Sequence, residues 1–336
     1  MTCCDASIPG ACSGSAKESD RRVSLFWRWF WGLVVGVPAA AFVVWGLADN
    51  PKLFLTTGMN GLTLAALYFL VASGFTLVFG LMRNVNLAHG SLYLLGAYVG
   101  YVVGDRTGSW LMAVAAGFAS AALFGLVLQV AVFRFMHGED LRQTLVTIGL
   151  SIMMADILLW IFGGEIYQFD PPRAIYGRTL LPIVEVYPTY RLVLLAMSAA
   201  IGVLLWWFLN RTRVGMMIRA GVDDRAMLSA AGVNVQFVFA ITFAIGAGLA
   251  GFAGVVGGTA LSIAPGEDTR YQLASLVVVI VGGMGSVVGA AIGAILIGVA
   301  EQFGLAYAPT YSVVFTFVIM ALVLAFRPQG ILGRRA

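Results

Sequence analysis

The stretch RTRVGMMIRAGVDDRAMLSAAGVNVQ, from Arg211 to Gln236, decides how the whole chain is arranged. It gathers four arginines and two aspartates in a chain that is 60% hydrophobic and only 11% charged. Short loops rich in Lys and Arg are retained on the cytoplasmic side of a membrane, so we expect the stretch on that side. Val222 to Ala231 lacks Gly and Pro, begins near Asp223 and Asp224, and precedes Gly232, which predicts a short helix.

Outside this stretch, the composition indicates a membrane protein. Runs of 18 or more apolar residues recur along most of the chain, which is typical of transmembrane helices. We therefore predict an all-α, polytopic integral membrane protein with about nine to ten transmembrane helices. Its net charge of +4 is spread over loops and termini, where it sets topology, and gives no signal of nucleic-acid binding. The stretch from Arg211 to Gln236 then lies against the lipid bilayer, or is a plain loop with one helical turn.

Several spaced motifs follow one another along the chain. The arginine-rich stretch contains Gly215, Arg219, Ala220, Asp224, Gly232, Val233 and Asn234. The others are Asn60–Leu64, Asn86–Gly90, Leu95–Tyr98, Gly282–Ser286 and Arg327–Arg334. Together, over about residues 58–336, they resemble the branched-chain (hydrophobic) amino acid permeases of bacterial ABC importers. One departure from that family is Met216, a position that usually holds Arg.

The resemblance implies an ABC importer permease that forms the translocation path for branched-chain or other hydrophobic amino acids. The implied partners are two ATP-binding subunits, a second related permease and an external or periplasmic solute-binding protein. The implied location is the bacterial inner membrane. The N-terminus is predicted in the cytoplasm from the charges, because the inner segments then hold 14 of the 20 basic residues. Contact with the ATP-binding subunits is expected at Gly215, Arg219, Asp223, Asp224 and Gly232. A permease for urea or short amides is an alternative, and a secondary transporter or channel is another.

The sequence lacks the motifs of an enzyme. Its only lysines are Lys17 and Lys52, and neither follows a glycine, so no phosphate-binding G-x-x-x-x-G-K-[ST] loop is present. Esterase and zinc-protease motifs are absent as well, and we expect no catalytic, cofactor-binding or metal-binding residues. Asp156 and Glu301 are the only acidic residues well inside apolar segments, which suits a passive path better than a proton or ion relay.

The N-terminal region divides into a polar tail, residues 1–23, and the start of the permease domain, residues 24–336. The tail holds every cysteine of the chain: Cys3, Cys4 and Cys12. The tail is either lipid-modified or metal-binding, or its three cysteines are incidental thiols. The apolar run Leu25–Leu47 is interpreted as an uncleaved first span.

The remaining spans are read from apolar runs. They are about Met59–Gly80, Leu87–Val103, Trp110–Phe133, Leu141–Phe162, Leu192–Leu209, Phe237–Ala264, the span that follows Ser286, and Tyr311–Phe326. Leu273–Met284 is short, and the count is ten if it crosses and nine if it is re-entrant. Glycines recur at every fourth position in two rows, which predicts close helix contacts: Gly96, Gly100 and Gly104, and Gly285, Gly289 and Gly293.

Two places are candidates for the translocation path. Asn86 and His89 are polar residues between two spans, and either line the path or form a satisfied turn. Gly282–Ser286 predicts a break in the helix, with Gly283 and Ser286 on the path; a plain kink is the alternative. The loop Gly163–Tyr190 is the longest outer connection and is our candidate surface for an external partner.

Overall fold

The computed structural model describes residues 41–82, 86–136, 139–181 and 185–333. The chain divides into two compact units, Met1–Leu55 and Thr56–Ala336. In the first unit, residues 41–49 are helical, and Asn50 accepts a hydrogen bond from the backbone N–H of Leu53 at 3.1 Å. The predicted tail and most of the predicted first span lie outside the described residues, so the boundary after residue 23 stays a prediction.

The described elements are almost entirely helical, which confirms the all-α class. The helices are α1 (Pro51–Met82), α2 (His89–Thr107), α3 (Trp110–Ala131), α4 (Asp140–Phe162), α5 (Thr189–Arg211), α6 (Arg213–Asp223), α7 (Arg225–Ala230), α8 (Val235–Ala260), α9 (Glu267–Gly282), α10 (Val287–Tyr307) and α11 (Ser312–Phe326). Short 3-10 turns occupy Phe133–Phe135 and Pro309–Tyr311. One antiparallel hairpin, β1 (Arg178–Leu181) with β2 (Glu185–Pro188), lies in the outer loop and pairs Thr179 with Tyr187.

Among the described residues, seven helices are long and apolar enough to cross a membrane. They correspond to α1, α3, α4, α5, α8, α10 and α11, and each overlaps a predicted span. Helix α2 has 19 residues but carries Asp105 and Arg106, and α9 has only 16 residues. At 1.5 Å per residue, α9 is about 24 Å long, slightly less than the hydrocarbon thickness of a bilayer. The multi-pass membrane architecture predicted from composition is therefore present.

Helix α8 lies at the centre of the bundle, against α2 and α3. An added Cβ atom at Gly251 would collide with the backbone of Gly117, and one at Gly96 would collide with Gly251 itself. An added Cβ atom at Gly100 would collide with the side chain of Val255. Small residues allow helix backbones to approach closely in lipid, where burial of apolar surface gives no driving force. The first predicted glycine row is confirmed as a helix contact face.

The second glycine row holds α9 and α10 together as an antiparallel hairpin. Gly289 faces the backbone of Gly282, and Gly293 faces the carbonyl of Val278. At the turn of the hairpin, a Cβ atom on Gly80 of α1 would lie 3.1 Å from the Cα atom of Gly285. Gly289 and Gly293 are confirmed as a contact face, whereas Gly285 lies in the turn before α10 and contacts α1 instead.

The C-terminal tail returns to the turn between α9 and α10. The backbone N–H groups of Ile331 and Leu332 donate to the carbonyls of Val281 and Gly282 at 2.9 and 3.0 Å. On the same side, the Cβ position of Gly80 lies 3.9 Å from the side chain of Val222, in the arginine-rich stretch. The C-terminus and that stretch therefore share one side of the bundle, which agrees with the reading in which α9 crosses.

Candidate functional site

The arginine-rich stretch folds as two helices and not as the single helix predicted over Val222–Ala231. We call residues 212–234 the coupling segment. Helix α6 ends at Asp223, Asp224 is extended with φ −151° and ψ 109°, and α7 begins at Arg225. The prediction of one helix was wrong because the side chain of Asp224 accepts the N–H of Met227 at 3.0 Å and so starts a new helix. Asp223 closes the preceding helix.

Helix α6 is amphipathic and is anchored by its apolar face. Ile218 is buried with Val238 and Phe239 of α8. Val214, Met217 and Val222 pack around this cluster from the same face of α6. Their spacing of three or four residues places them on one side of the helix. The helix is thus held against the membrane-spanning bundle, and its other face is available to a partner.

The start of α6 is fixed to the end of α5. Thr212 accepts a hydrogen bond from the N–H of Gly215 at 3.0 Å. A side chain at Gly215 would collide with the backbone of Phe208 and Leu209, so the sharp turn requires a glycine. On the outer face, the guanidinium of Arg219 donates to the side-chain oxygen of Asn210 at 2.6 Å. Arg219 is exposed and therefore both braces α6 and contributes to its free surface.

Helix α7 presents an apolar residue to solvent. Met227 is 71% exposed, whereas Leu228, the next residue, is buried. Gly232 ends the segment with φ 79°, a left-handed conformation that glycine adopts without strain. The side chain of Asn234 then accepts the N–H of Phe237 at 3.2 Å and starts α8. The five residues predicted for ATPase coupling therefore all lie in one short, well-capped surface segment.

Asn86 and His89 are buried where the chain enters α2. Residues 86–88 are not helical, and His89 is the first residue of α2. The side chains of Asn86 and His89 are 3% and 0% exposed. The Nε2 atom of His89 donates to the carbonyl of Val71, in the second half of α1, at 3.1 Å. Irregular backbone at such depth is tolerated only where protein or a water-filled cavity surrounds it. The chain does turn at Leu87 and Ala88, so the satisfied turn and the lining of the path both stay predictions for Asn86 and His89.

Side chains of other helices accept hydrogen bonds from backbone N–H groups at this start of α2. Gln272 of α9 accepts the N–H of Gly90 at 2.7 Å, and Thr147 of α4 accepts the N–H of Leu87 at 3.2 Å. The side-chain amide nitrogen of Asn86 and the Nδ1 atom of His89 have no hydrogen-bond partner among the described residues. Sequence reasoning missed Gln272 because the predicted apolar segment began one residue later. Asn86 and His89 are thus enclosed in this conformation, and a role on the path requires the surrounding helices to move.

The helix break at Gly282–Ser286 is confirmed. Gly283 and Gly285 have φ values of 108° and 79°, and the hydroxyl of Ser286 accepts the N–H of Gly289 at 3.0 Å. The backbone of Gly333 covers Gly283. The structure does not bring this break together with His89. Val71, beside His89, and Gly80, beside the break, are nine residues apart along α1, or about 13 Å.

A polar cluster at the opposite end of α9 was not predicted as a unit. The hydroxyl of Tyr68 donates to Glu301 at 2.7 Å, and Arg270 forms ion pairs with Glu301 at 3.6 Å and with Glu267 at 3.5 Å. The ring of Tyr271 lies beside Tyr68, with centroids 6.0 Å apart. Glu301 is therefore compensated by both a hydrogen bond and a cation, which explains how an apolar helix tolerates it.

A family model and several known proteins match most of the chain. Residues 58–324 match the family described as "Branched-chain amino acid transport system / permease component". The chain is similar to the high-affinity branched-chain amino acid transport system permease protein BraD of Pseudomonas aeruginosa, at 30% identity over 84% of this chain and 96% of that protein. It is similar to LivH of Escherichia coli K12, which has the same description, at 32% identity over 84% and 96%. LivM of Escherichia coli K12, also described as such a permease, is 27% identical over 80% of this chain and 68% of LivM. The matched range includes the coupling segment, the start of α2 and the turn between α9 and α10.

Proposed function

The chain belongs to the family of branched-chain amino acid transport system permease components, and on that premise we propose that it forms part of the membrane path of an ATP-driven importer for branched-chain amino acids. The printed names of its relatives favour this substrate over urea, short amides or a self-sufficient channel. No phosphate-binding loop is present in the sequence, so a separate subunit hydrolyses the ATP.

The observation that carries the proposal is the shape of the coupling segment. Its apolar face is anchored on α8, while Met216, Arg219 and Met227 are exposed on the other side. An amphipathic helix that docks in a groove is a common mode of protein recognition, and methionine adapts well to such surfaces. An ATP-binding subunit that grips this segment would transmit its movement to α5 and α8, to which the segment is directly joined.

The remaining partners belong to the same proposal. Similarity to both LivH and LivM supports pairing with a second, related permease. On the opposite side, the outer loop forms a groove of about 690 Å³ whose walls include Trp110, Phe169 and Arg173. This groove would receive an external solute-binding protein. The excess of arginines in the coupling segment supports a cytoplasmic location for this segment and for the N-terminus. The membrane is then the inner membrane.

The test removes two side-chain contacts that hold the coupling segment in place. Arg219→Ala with Asp224→Ala removes the 2.6 Å hydrogen bond to Asn210 and the cap of α7. In proteoliposomes that hold the whole importer, we expect leucine uptake to fall about tenfold, because the lost cap and the lost hydrogen bond of Arg219 each cost about 1 kcal/mol, and about 1.4 kcal/mol is a factor of ten. ATP hydrolysis should continue without uptake. Asp224→Asn keeps a capping oxygen and should retain most of the uptake.

A matched control is available on α4. Glu139 and Arg142 form an exposed ion pair at 2.9 Å, outside the coupling segment. The double alanine variant of this pair should transport normally, since exposed pairs contribute little to stability. Normal uptake by the Arg219 and Asp224 double variant, at normal expression, would overturn the coupling role. A wild-type importer that does not transport leucine would overturn the substrate.

A further inference from the structure

A small cavity with two carboxylates lies where α2 and α4 meet the start of α9. Its volume is about 180 Å³. Its polar walls are Tyr98, Asp156, Asp268 and Thr269, and its apolar walls include Leu94 and Leu159. We call it the carboxylate cavity. It is separate from the coupling segment, from the turn between α9 and α10, and from the ion pair of Glu301.

Asp268 lacks a compensating group. Its side chain is only 4% exposed, and it forms no hydrogen bond or ion pair with any residue that the structure describes. The nearest arginine in sequence, Arg270, is already paired with Glu267 and Glu301. Asp268 lies in the first turn of α9, whose N-terminus offsets part of its charge, and a bound cation would offset the rest of the cost of burying an unpaired carboxylate.

The hydroxyl of Tyr98 is a second unsatisfied group in the same cavity. Tyr98 is 1% exposed, and its hydroxyl has no hydrogen-bond partner among the described residues. Its ring stacks on Phe162 at 4.2 Å between centroids and meets Tyr167 edge-on at 6.0 Å. These contacts fix the ring, so the hydroxyl cannot turn away to reach water. Its oxygen is therefore available as an acceptor for a ligand in the cavity.

Asp156 of α4 is the third acceptor among the residues that line the cavity. It is exposed on α4, where its neighbours Met153 and Ile157 are also exposed and apolar. It forms no hydrogen bond or ion pair with any described residue. A carboxylate on an apolar membrane helix is costly unless it faces a polar cavity or a partner. Asp156 therefore extends the negative character of the cavity to its mouth.

We propose that the carboxylate cavity binds a primary ammonium group. An ammonium group has three N–H donors, and the cavity offers three acceptors, on Tyr98, Asp156 and Asp268. Aliphatic walls at Leu94 and Leu159 suit a short hydrocarbon chain attached to that group. A transition-metal site does not fit, since the described residues contain no group of three His, Cys, Asp or Glu side chains that could hold one.

Two kinds of molecule present a primary ammonium group to a membrane protein: a free amino acid and a phospholipid with an ethanolamine headgroup. Binding of a free amino acid would place a substrate-binding step in the permease and rests on the proposed function. Binding of the lipid headgroup would not depend on it. The two sources are separated by the lipid in which the protein is studied.

The experiment uses the full chain in phosphatidylcholine nanodiscs and dicyclohexylcarbodiimide, a hydrophobic reagent that modifies buried carboxyl groups. The fraction of Asp268 that stays unmodified is followed by mass spectrometry, so that the N-acylurea and any amide formed by attack of the amine on the activated carboxyl both count as modification. We expect protection by 3-methylbutylamine and by L-leucine, and no protection by 4-methylpentanoate, which has the same carbon chain but no amine. Tyr98→Phe should raise the amine concentration needed for protection about tenfold, the effect of losing one hydrogen bond to a charged group. Asp105→Asn, outside the cavity, is the control and should leave protection unchanged.

Protection by leucine in phosphatidylcholine supports a free amino acid. Protection only after phosphatidylethanolamine is added supports the lipid headgroup. Equal protection by sodium chloride and by the amine overturns the proposal, and so does modification of Asp268 that no amine prevents. If Asp268 resists the reagent, thermal unfolding decides. The amine should raise the unfolding temperature of wild type and not of Asp268→Asn, and an equal rise in both overturns the proposal.

Discussion

The contact between α9 and α10 predicts a measurable response to one added methyl group. A Cβ atom at Gly289 would lie 2.9 Å from the carbonyl carbon of Gly282 and 3.1 Å from the Cβ atom of Ser286. The carbonyl of Gly282 also accepts the N–H of Leu332 at 3.0 Å, so Gly282 cannot withdraw without straining that bond. We therefore expect Gly289→Ala to destabilise the permease, even though alanine forms helices better than glycine.

Two opposing terms set the size of this effect. Overpacking of a tight contact costs about 2 kcal/mol, and the better helix propensity of alanine returns about 1 kcal/mol. The net loss at Gly289 is then about 1 kcal/mol. Gly149 on α4 is the matched control, since no atom lies within 4 Å of its Cβ position. Gly149→Ala should keep only the helical gain, which separates the two variants by about 2 kcal/mol.

The assay is thermal unfolding of the purified permease in detergent, with both variants and wild type side by side. A difference of about 2 kcal/mol corresponds to roughly 4 °C or more between the two midpoints. Gly289→Leu should lower the midpoint further than Leu296→Ala, because Leu296 is 38% exposed and makes fewer contacts. A midpoint for Gly289→Ala equal to or above that of Gly149→Ala would refute the close-packing argument.

Two further predictions concern the turn and the polar cluster. In a variant without native cysteines, Ser286→Cys should react with a water-soluble thiol reagent at a rate that changes when ATP is trapped on the partner subunits. Met284→Cys, already exposed, is the control, and an unchanging rate at residue 286 would remove the turn from the path. Tyr68→Phe should lower stability by about 1.5–3 kcal/mol through loss of its hydrogen bond to Glu301. The loss should shrink in a Glu301→Ala background, and an equal loss there would assign the effect to packing.

Local sequence patterns were sufficient to predict most helices. The errors arose where contacts between distant residues determine the structure. Glycines at every fourth residue predicted both contact faces, because that spacing reports a helix side without regard to the partner. The two aspartates after Val222 predicted a helix start, and only Asp224 forms one. Asp223 completes α6, whose apolar face depends on contacts with Val238 and Phe239 of α8. No local pattern reveals those contacts.

The burial of Asn86 and His89 was also beyond local reasoning. Polar residues between two apolar runs are typical of a surface turn, and the sequence does not reveal how far the chain folds back. The depth of His89 depends on its hydrogen bond to Val71 and on Gln272 from a helix far along the chain. The carboxylate cavity has the same origin. Tyr98, Asp156 and Asp268 are distant in sequence and meet only because three helices cross.

The bonds between the C-terminal tail and α9 have a consequence for the order of folding. Val281 and Gly282 lie at the end of their helix, where backbone carbonyls lack partners within the helix, and the donors that satisfy these two belong to Ile331 and Leu332, far along the chain. A contact between residues so distant in sequence costs loop-closure entropy before it stabilises anything. The hairpin of α9 and α10 can therefore form first, and its turn is completed only after α11 has brought the tail back to it.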